Sequence, residues 1–324
     1  MGHIVGNNDS LELVERLISR GREPHSVMIC GEGGSGKKTL AQELAARLLC
    51  DRQDGGSCGV CRHCRLIRDG AHPDFVTASA SDTGNYKVDD IRAFISEAYI
   101  SPSEGRYRIY LIPDLDRSPQ TLRQIQNVML KVIEEPPDSA VMILTARSKE
   151  IFLDTIISRT ISLTTEELSP AEVLAELDRR GADPQTAEEA VRRCGGNIGR
   201  CLKYCEDEKL RETAGLAADI CRDLAASDEY RLLLDISRLG SKRQDFIQLM
   251  EFTERLVSDA VRVRTGLGGS HLYSQEVCRA MAVKYSEKRL ADIYDILVDC
   301  AVRANSNCLI GTLSNTLAAR LSDA

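Results

Sequence analysis

The segment Gly31-Glu32-Gly33-Gly34-Ser35-Gly36-Lys37-Lys38-Thr39 narrows the possible folds more than any other part of the chain. It follows an apolar run of strand length, Ser26 to Cys30 (SVMIC), and opens a helix expected from Lys37 to about Cys50. A glycine-rich turn between a buried strand and a helix is the unit from which parallel α/β sheets are built. The glycines let backbone N–H groups wrap a phosphate, the helix presents its positive end, and Lys37 can reach the outer phosphates. The pattern fits G-x-x-x-x-G-K but departs at the next position, where Ser or Thr would ligate Mg²⁺ and Lys38 stands instead. The Thr39 hydroxyl projects about 100° further round the helix, so it does not simply replace the missing ligand. Candidate cofactor-binding residues are Gly31, Gly33, Gly34, Ser35, Gly36, Lys37, Lys38 and Thr39, with ATP and Mg²⁺ as the cofactors in question. The alternative is a glycine-rich turn that holds no ligand.

The same alternation continues downstream. Further strands are expected at Phe75 to Thr77, Arg108 to Ile112, Ala140 to Thr145 and Thr160 to Leu163, with helices at Val88 to Ile100 and Pro119 to Glu135. Ser118-Pro119 reads as an N-cap followed by proline at the first helical position. The expectation is a five-stranded parallel sheet. Beyond Leu163 amphipathic helices take over, starting at Ser169-Pro170, at Asp183-Pro184 and, after Gly195-Gly196, near Asn197. Later helices carry Phe246, Leu249, Leu256, Ala260 and Val263, or Leu290, Ile293, Leu297 and Ala301, with a loop at 266–269. Such stripes read as core packing. A chain of 324 residues holds two or three domains, and the divisions expected are 1–165, 166–205 and 206–324.

Cys50, Cys58, Cys61 and Cys64 lie directly after the loop's helix, spaced C-x7-C-x2-C-x2-C. Four thiolates at this spacing suit one tetrahedral Zn²⁺, with turns at Gly55-Gly56-Ser57 and at Gly59-Val60. His63 is an alternative fourth ligand, at the cost of stranding Cys61 or Cys64; a cluster of reduced, buried cysteines is the other reading. Four thiolates leave no open coordination position, so the expected role is structural. The remaining eight of twelve cysteines read as reduced, with Cys201 and Cys205 one helical turn apart as core filling, and no disulfides are expected.

Composition excludes some classes. No apolar run is long enough to cross a bilayer, and the first residues lack a secretory pattern, so a cytoplasmic protein with no membrane contact is expected. A net charge of −7, 4% aromatic residues and no Trp argue against a protein that grips nucleic acid alone. Contact with DNA would be shared with other subunits.

Hydrolysis of ATP needs an acid at a neighbouring strand end and a group that orients water. Asp114, after Tyr110-Leu111-Ile112-Pro113, suits the first role and is the further cofactor-binding candidate. Leu115 stands next, where active enzymes of the class carry Glu. Asp116 would face the same side as Asp114 if the chain stayed extended, although a solvated loop acid is the plainer reading. Lys38 and Leu115 together point to weak or absent hydrolysis.

Several motifs now combine. The phosphate loop, the four-cysteine insertion, Gly70-Ala71-His72-Pro73-Asp74, and the helix ending Asn127-Val128-Met129-Leu130-Lys131-Val132-Ile133-Glu134-Glu135-Pro136-Pro137 resemble the clamp-loader subunits of bacterial DNA polymerase III, within the AAA+ ATPases. Thr155-Ile156-Ile157-Ser158-Arg159-Thr160 resembles the family's S-R-C motif, with Thr160 in place of the cysteine. The resemblance covers about residues 1 to 205; the remainder agrees in length and helicity, with Asn305-Ser306-Asn307 reminiscent of the family's collar. It implies an α/β AAA+ P-loop domain (1–165, zinc module at 50–64), a small helical lid (166–205) and an all-α collar (206–324). It further implies that Arg159 is a catalytic residue acting in trans at a neighbouring subunit's ATP site; a surface arginine capping a strand is the plain alternative. Gly199 aligns with an arginine that binds nucleotide in active members, with Arg200 one residue later, and Thr145-Ala146-Arg147 falls where a polar sensor is placed.

Within that family the pattern resembles delta-prime, which supplies an arginine finger while hydrolysing little or nothing. Implied partners are gamma/tau-like and delta-like subunits, the sliding clamp and primer-template DNA, as a component of the polymerase holoenzyme. The alternatives are an active gamma/tau-like ATPase subunit, with Thr39 or water completing the Mg²⁺ shell and Asp116 replacing the missing glutamate, and a zinc-stabilised AAA+-like interaction protein outside replication.

Overall fold

The computed structural model describes residues 4–52, 54–81, 84–238, 242–266, 274–305 and 308–322. The chain divides into two compact units, Met1–Leu168 and Ser169–Ala324.

In the first unit five parallel strands, β1 (Ser26–Cys30), β2 (Phe75–Thr77), β3 (Arg108–Ile112), β4 (Ala140–Ala146) and β5 (Ile161–Thr164), form one sheet in the order β2-β3-β4-β1-β5. All residues of β1 and β4 are buried, as expected for central strands covered on both faces. Alternation along β1 divides the core. Val27 and Ile29 pack with Leu40, Leu44 and Ile67 on one face, while Met28 and Cys30 pack with Ile91, Ile125 and Met129 on the other. The first face is covered by α1 (Asn8–Ser19), α2 (Lys37–Leu49) and α3 (Arg62–Arg68), the second by α4 (Val88–Ser96), α5 (Leu122–Glu134) and the short α6 (Asp154–Ile157).

The strands fall within one or two residues of their expected positions. Three helical expectations change. The helix begun at Pro119 starts instead at Leu122, because Ser118 does not cap it: its Oγ accepts the backbone N–H of Tyr86 at 2.7 Å. The helix from Val88 ends at Ser96 and tightens into a 3₁₀ turn over Glu97–Tyr99. Helices α1 and α3 were not expected; α1 buries Val14 and Ile18, spaced one turn apart, a periodic signal present in the sequence.

The second unit is entirely helical among the described residues: α7 (Pro170–Arg179), α8 (Pro184–Cys194), α9 (Ile198–Glu206), α10 (Glu208–Ala226), α11 (Glu229–Ser237), α12 (Arg243–Arg264), α13 (Gln275–Lys284), α14 (Glu287–Asn305) and α15 (Ile310–Ser322). The first three begin where the sequence signals placed them. Ser169 and Glu172 form a reciprocal capping box, and Asp183 and Asn197 each accept a backbone N–H three residues on. Phe246, Leu249, Leu256, Ala260, Leu290, Ile293 and Leu297 are buried, whereas Val263 and Ala301 are half-buried. Most of the expected loop at 266–269, and Ser306-Asn307 of the collar-like segment, lie outside the described residues. No helix among the described residues is long and apolar enough to cross a membrane.

Candidate functional site

The carboxyl ends of β1, β3, β4 and β5 bring the expected phosphate-site residues to one edge of the sheet, where open α/β sheets place their ligands. Gly31 leaves β1 with φ 154°, and a side chain there would lie 1.8 Å from Thr165 Oγ1. Only glycine permits this approach. Thr165 lies just past β5, and its hydroxyl meets Ser35 Oγ at 2.6 Å, pinning the loop to the neighbouring strand. Gly34 and Gly36 also have positive φ, and the Ser35 N–H is donated to Glu32 O at 3.2 Å, so the loop is curled as a phosphate-binding turn requires.

Lys37 is 7% exposed along its side chain. Its Nζ donates to the carbonyls of Gly31 and Glu32, both at 2.9 Å, and stands 3.5 Å from Asp114 Oδ1. Asp114 follows β3 in a left-handed conformation, φ 48° and ψ 53°, with its N–H donated to Thr145 Oγ1 at the end of β4. Its other carboxylate oxygen is 3.3 Å from Arg117. Both oxygens of this acid therefore face cations. Lys38 is exposed and Thr39 half-buried.

The extended geometry that would align Asp116 with Asp114 does not occur. The left-handed turn at Asp114 leads into a 3₁₀ turn over Leu115–Arg117, and Asp116 faces Arg147 at 3.4 Å. Leu115 is fully buried in the core and has no contact with solvent to orient. An Mg²⁺-nucleotide therefore fits this edge only in part: the curled glycine loop and its lysine suit an anion, but the hydroxyl is missing and the acid already faces Lys37 and Arg117. Gly199 and Arg200 both lie in the first turn of α9, where the Arg200 N–H is donated to Asn197.

Arg159 follows α6. Its Nη1 donates to Thr155 O and Ser158 Oγ, each at 3.1 Å, and its Nη2 lies 3.5 Å from Glu134 Oε1. Two motifs separated in sequence thus meet, the helix ending in Glu134-Glu135-Pro136-Pro137 and the Ser158-Arg159-Thr160 segment. Thr160 turns its hydroxyl back to Ile156 O at 3.0 Å.

The four cysteines converge at the opposite end of α2, whose C-cap is Cys50. Glu43 and Arg47 of α2 hold the insertion: Ser57 donates to Glu43, and Arg47 donates to Glu43 and to Gly55 O. Gly55 has φ 87° and lies against the backbone of Glu15, where a side chain would approach within 2.7 Å of the carbonyl. The chain turns back there. Cys50, Cys58, Cys61 and Cys64 then place their sulfurs within 4.8 Å of one another. The Cys58 and Cys64 sulfurs are 4.0 Å apart, close to the ~3.8 Å edge of a tetrahedron with metal–sulfur bonds of about 2.3 Å.

The Cys61 N–H is donated to Cys58 Sγ and the Cys64 N–H to Cys61 Sγ. Backbone N–H groups of Val60 and Cys61 hold the Cys58 thiol down to about 6, whereas burial pushes Cys50 and Cys64 up. Four thiolates cannot coexist in this space without a cation. The cluster fits a bound metal ion such as zinc.

His63 stands outside the group of four sulfurs, its Nδ1 facing His72 and its Nε2 lying 3.7 Å from Asp51. The Asp74 N–H is donated to His72 Nδ1 at 3.0 Å, so neutral His72 carries its proton on Nε2 and directs it to His63 Nδ1, 2.8 Å away. Burial, followed by the neighbouring His63, lowers the His72 pKa and favours that neutral form. Asp74 itself escaped the sequence reading as an individual residue, although it ends the Gly70-Ala71-His72-Pro73-Asp74 motif. Its carboxylate is 0% exposed and accepts the N–H groups of Ser103, Glu104 and Gly105 at 2.6, 2.8 and 2.7 Å. Burial pushes its pKa up, but these three donors outweigh it and the net shift is downward.

This makes Asp74 a tie between the cysteine module and the loop entering β3, and its loss has a defined signature. Asp74→Ala should cost about 3 kcal/mol, since three hydrogen bonds to a buried carboxylate are lost. The folded pKa lies below the ordinary 3.8, so the ionised form's contribution is complete above that value and disappears as pH falls through the folded pKa. Urea unfolding between pH 7 and pH 3 should show a smaller acid loss in the variant than in the parent; equal losses would remove Asp74 from this role.

A P-loop, an acid after the third strand of a five-stranded parallel sheet, and a helical unit following it define a protein of the AAA+ class. The family model described as DNA polymerase III, delta subunit, matches residues 6–169, and the chain belongs to that family, the delta-prime and gamma/tau clamp-loader group. It is 30% identical over 176 residues to the DNA polymerase III subunit tau of Escherichia coli (strain K12), a match covering 54% of this chain and 27% of that protein. It is 29% identical over 194 residues to the subunit delta' of Pseudomonas aeruginosa, covering 54% and 58%, and 26% identical over 203 residues to the subunit delta' of Bacillus subtilis (strain 168), covering 63% and 60%. The chain thus spans between 27% and 60% of the length of these curated relatives.

Proposed function

We propose that the chain is a delta-prime-like subunit of the DNA polymerase III clamp loader, supporting ATP-dependent loading of the sliding clamp on primed DNA. In this reading its own hydrolysis is weak or absent and Arg159 serves the ATP site of an adjacent subunit. The observation that carries the proposal is the state of Arg159: its side chain is 44% exposed and its ion-pair partner Glu134 is 42% exposed. An exposed pair of this kind is worth at most about 1 kcal/mol, so Glu134 can orient the guanidinium without holding it back from a phosphate. The buried Leu115 and the ammonium at position 38 support the absence of turnover in the chain's own site.

The partners in this reading are gamma/tau-like and delta-like subunits, with the clamp and primer-template DNA met through the assembly in the cytoplasm. The helical part of the chain is read as a lid over 166–205 and a collar over 206–324. The metal of the cysteine cluster is read as structural Zn²⁺. Reconstitution with motor and delta subunits, clamp and primed DNA tests the proposal: the parent chain should support DNA-stimulated ATPase and loading, and Arg159→Ala should lose the turnover of the one site that it serves. Unchanged turnover in the variant rejects the role of Arg159, and failure to co-assemble rejects the clamp-loader role itself.

A further inference from the structure

The phosphate loop and its metal requirement separate in this chain. A loop-bound Mg²⁺ needs oxygen ligands, normally the hydroxyl after the loop lysine, with an acid close by. Position 38 offers an ammonium instead, exposed and, among the described residues, without a hydrogen-bond or ion-pair partner. The acid is no substitute, because Asp114 already faces Lys37 at 3.5 Å and Arg117 at 3.3 Å. Asp116 is drawn off to Arg147. A divalent cation would enter a place where Lys37 and Arg117 already share the carboxylate of Asp114, with Lys38 next along the helix.

The anion cradle nevertheless remains built. Lys37 is fixed in the loop by two carbonyls, the loop is pinned through Ser35 and Thr165, and Gly31, Gly34 and Gly36 keep the backbone curled. We infer that nucleotide binds this loop as the metal-free polyphosphate, with the Lys38 ammonium standing where Mg²⁺ would stand. A hydroxyl at this position would hold the metal at about 2.1 Å, and the four methylenes of a lysine carry its ammonium at least as far from the backbone. The ammonium supplies charge but no Lewis acidity, which agrees with a site that retains nucleotide and does not turn it over. The inference deepens the reading of a non-hydrolysing subunit and adds a ligand state to it.

The test is isothermal titration of the full chain with ADP and with ATP at constant ionic strength, in excess EDTA and in excess Mg²⁺. Binding in EDTA should be at least as tight as in Mg²⁺, because the metal must be stripped from the nucleotide before it enters. Lys38→Ala should weaken binding in EDTA about tenfold, the order expected from one charge-assisted contact. Lys38→Thr should reverse the preference and make binding Mg²⁺-dependent; both variants change an exposed side chain, so folding is retained. Tighter binding of the parent in Mg²⁺, an unchanged Lys38→Ala, or no binding in either condition overturns the inference. None of these outcomes touches Arg159, which acts on another subunit's nucleotide and is read from the ATPase of the assembled complex.

Discussion

Arg159→Ala should reduce turnover at the adjacent subunit's ATP site about 10³-fold in the reconstituted complex, the lower end of what a guanidinium supplied across an interface contributes to phosphoryl transfer. The size of the effect comes from charge that develops on the transferring phosphoryl group inside a site from which water is excluded. Sites served by other subunits keep their own fingers. The bulk ATPase should therefore fall by the share of one site, while a single-turnover measurement should lose one phase almost completely. Arg159→Lys keeps the charge but not the planar fork, and should restore only part of the rate. Glu134→Ala removes a weak exposed partner and should leave most of the rate intact. Because Arg159 makes only exposed surface contacts, its replacement should leave the thermal transition of the isolated chain nearly unchanged. A full set of single-turnover phases with the alanine variant would remove Arg159 from the mechanism.

Stripping the metal from the cysteine cluster should produce the largest loss of stability. Structural zinc contributes about 10–16 kcal/mol to isolated finger peptides. The loss here should be smaller, on the order of 5 kcal/mol, because α3 also packs Ile67 into the core and Glu43 and Arg47 hold the insertion independently. Such a loss corresponds to a fall of roughly 10–20 °C in the transition of the first unit. Metal analysis should return one zinc per chain for the parent and none for Cys64→Ser, while Cys308→Ser, at an exposed cysteine outside the cluster, should keep both metal and stability. Metal should also be released on acidification, since the ligands bind as thiolates. A parent chain that purifies without zinc, or one whose transition is unmoved by chelation, would return the cluster to four reduced cysteines.

Much of the fold is legible along the chain because its signals are local. The β1 run and the helix after it are continuous segments whose apolar content and glycine-rich junction need no distant partner to be read. The cysteine cluster is legible for a related reason: its ligands lie within fifteen residues, and thiolate chemistry restricts what they do together. Ser118 is the counter-example. By its neighbours it is a helix cap, but its hydroxyl is taken by Tyr86 from another element, and the helix begins later. Asp74 looks like any loop acid until the backbone of 103–105 folds over it.

The candidate nucleotide site divides along the same line. Sequence alone determined that the chain has a glycine-rich G-x-x-x-x-G-K loop followed by Lys38 in place of a hydroxyl, Leu115 directly after Asp114, four closely spaced cysteines and an arginine in the segment Ser158-Arg159-Thr160. These are statements about residue identity, and chemistry attaches to them directly. Only the tertiary structure decided that Asp114 is shared between Lys37 and Arg117, that Asp116 turns away, and that Glu134 meets Arg159. Each depends on a backbone turn or on packing between elements distant in sequence. The left-handed turn at Asp114, fixed by a hydrogen bond to Thr145 on the neighbouring strand, is the physical reason that residue spacing alone misplaced Asp116.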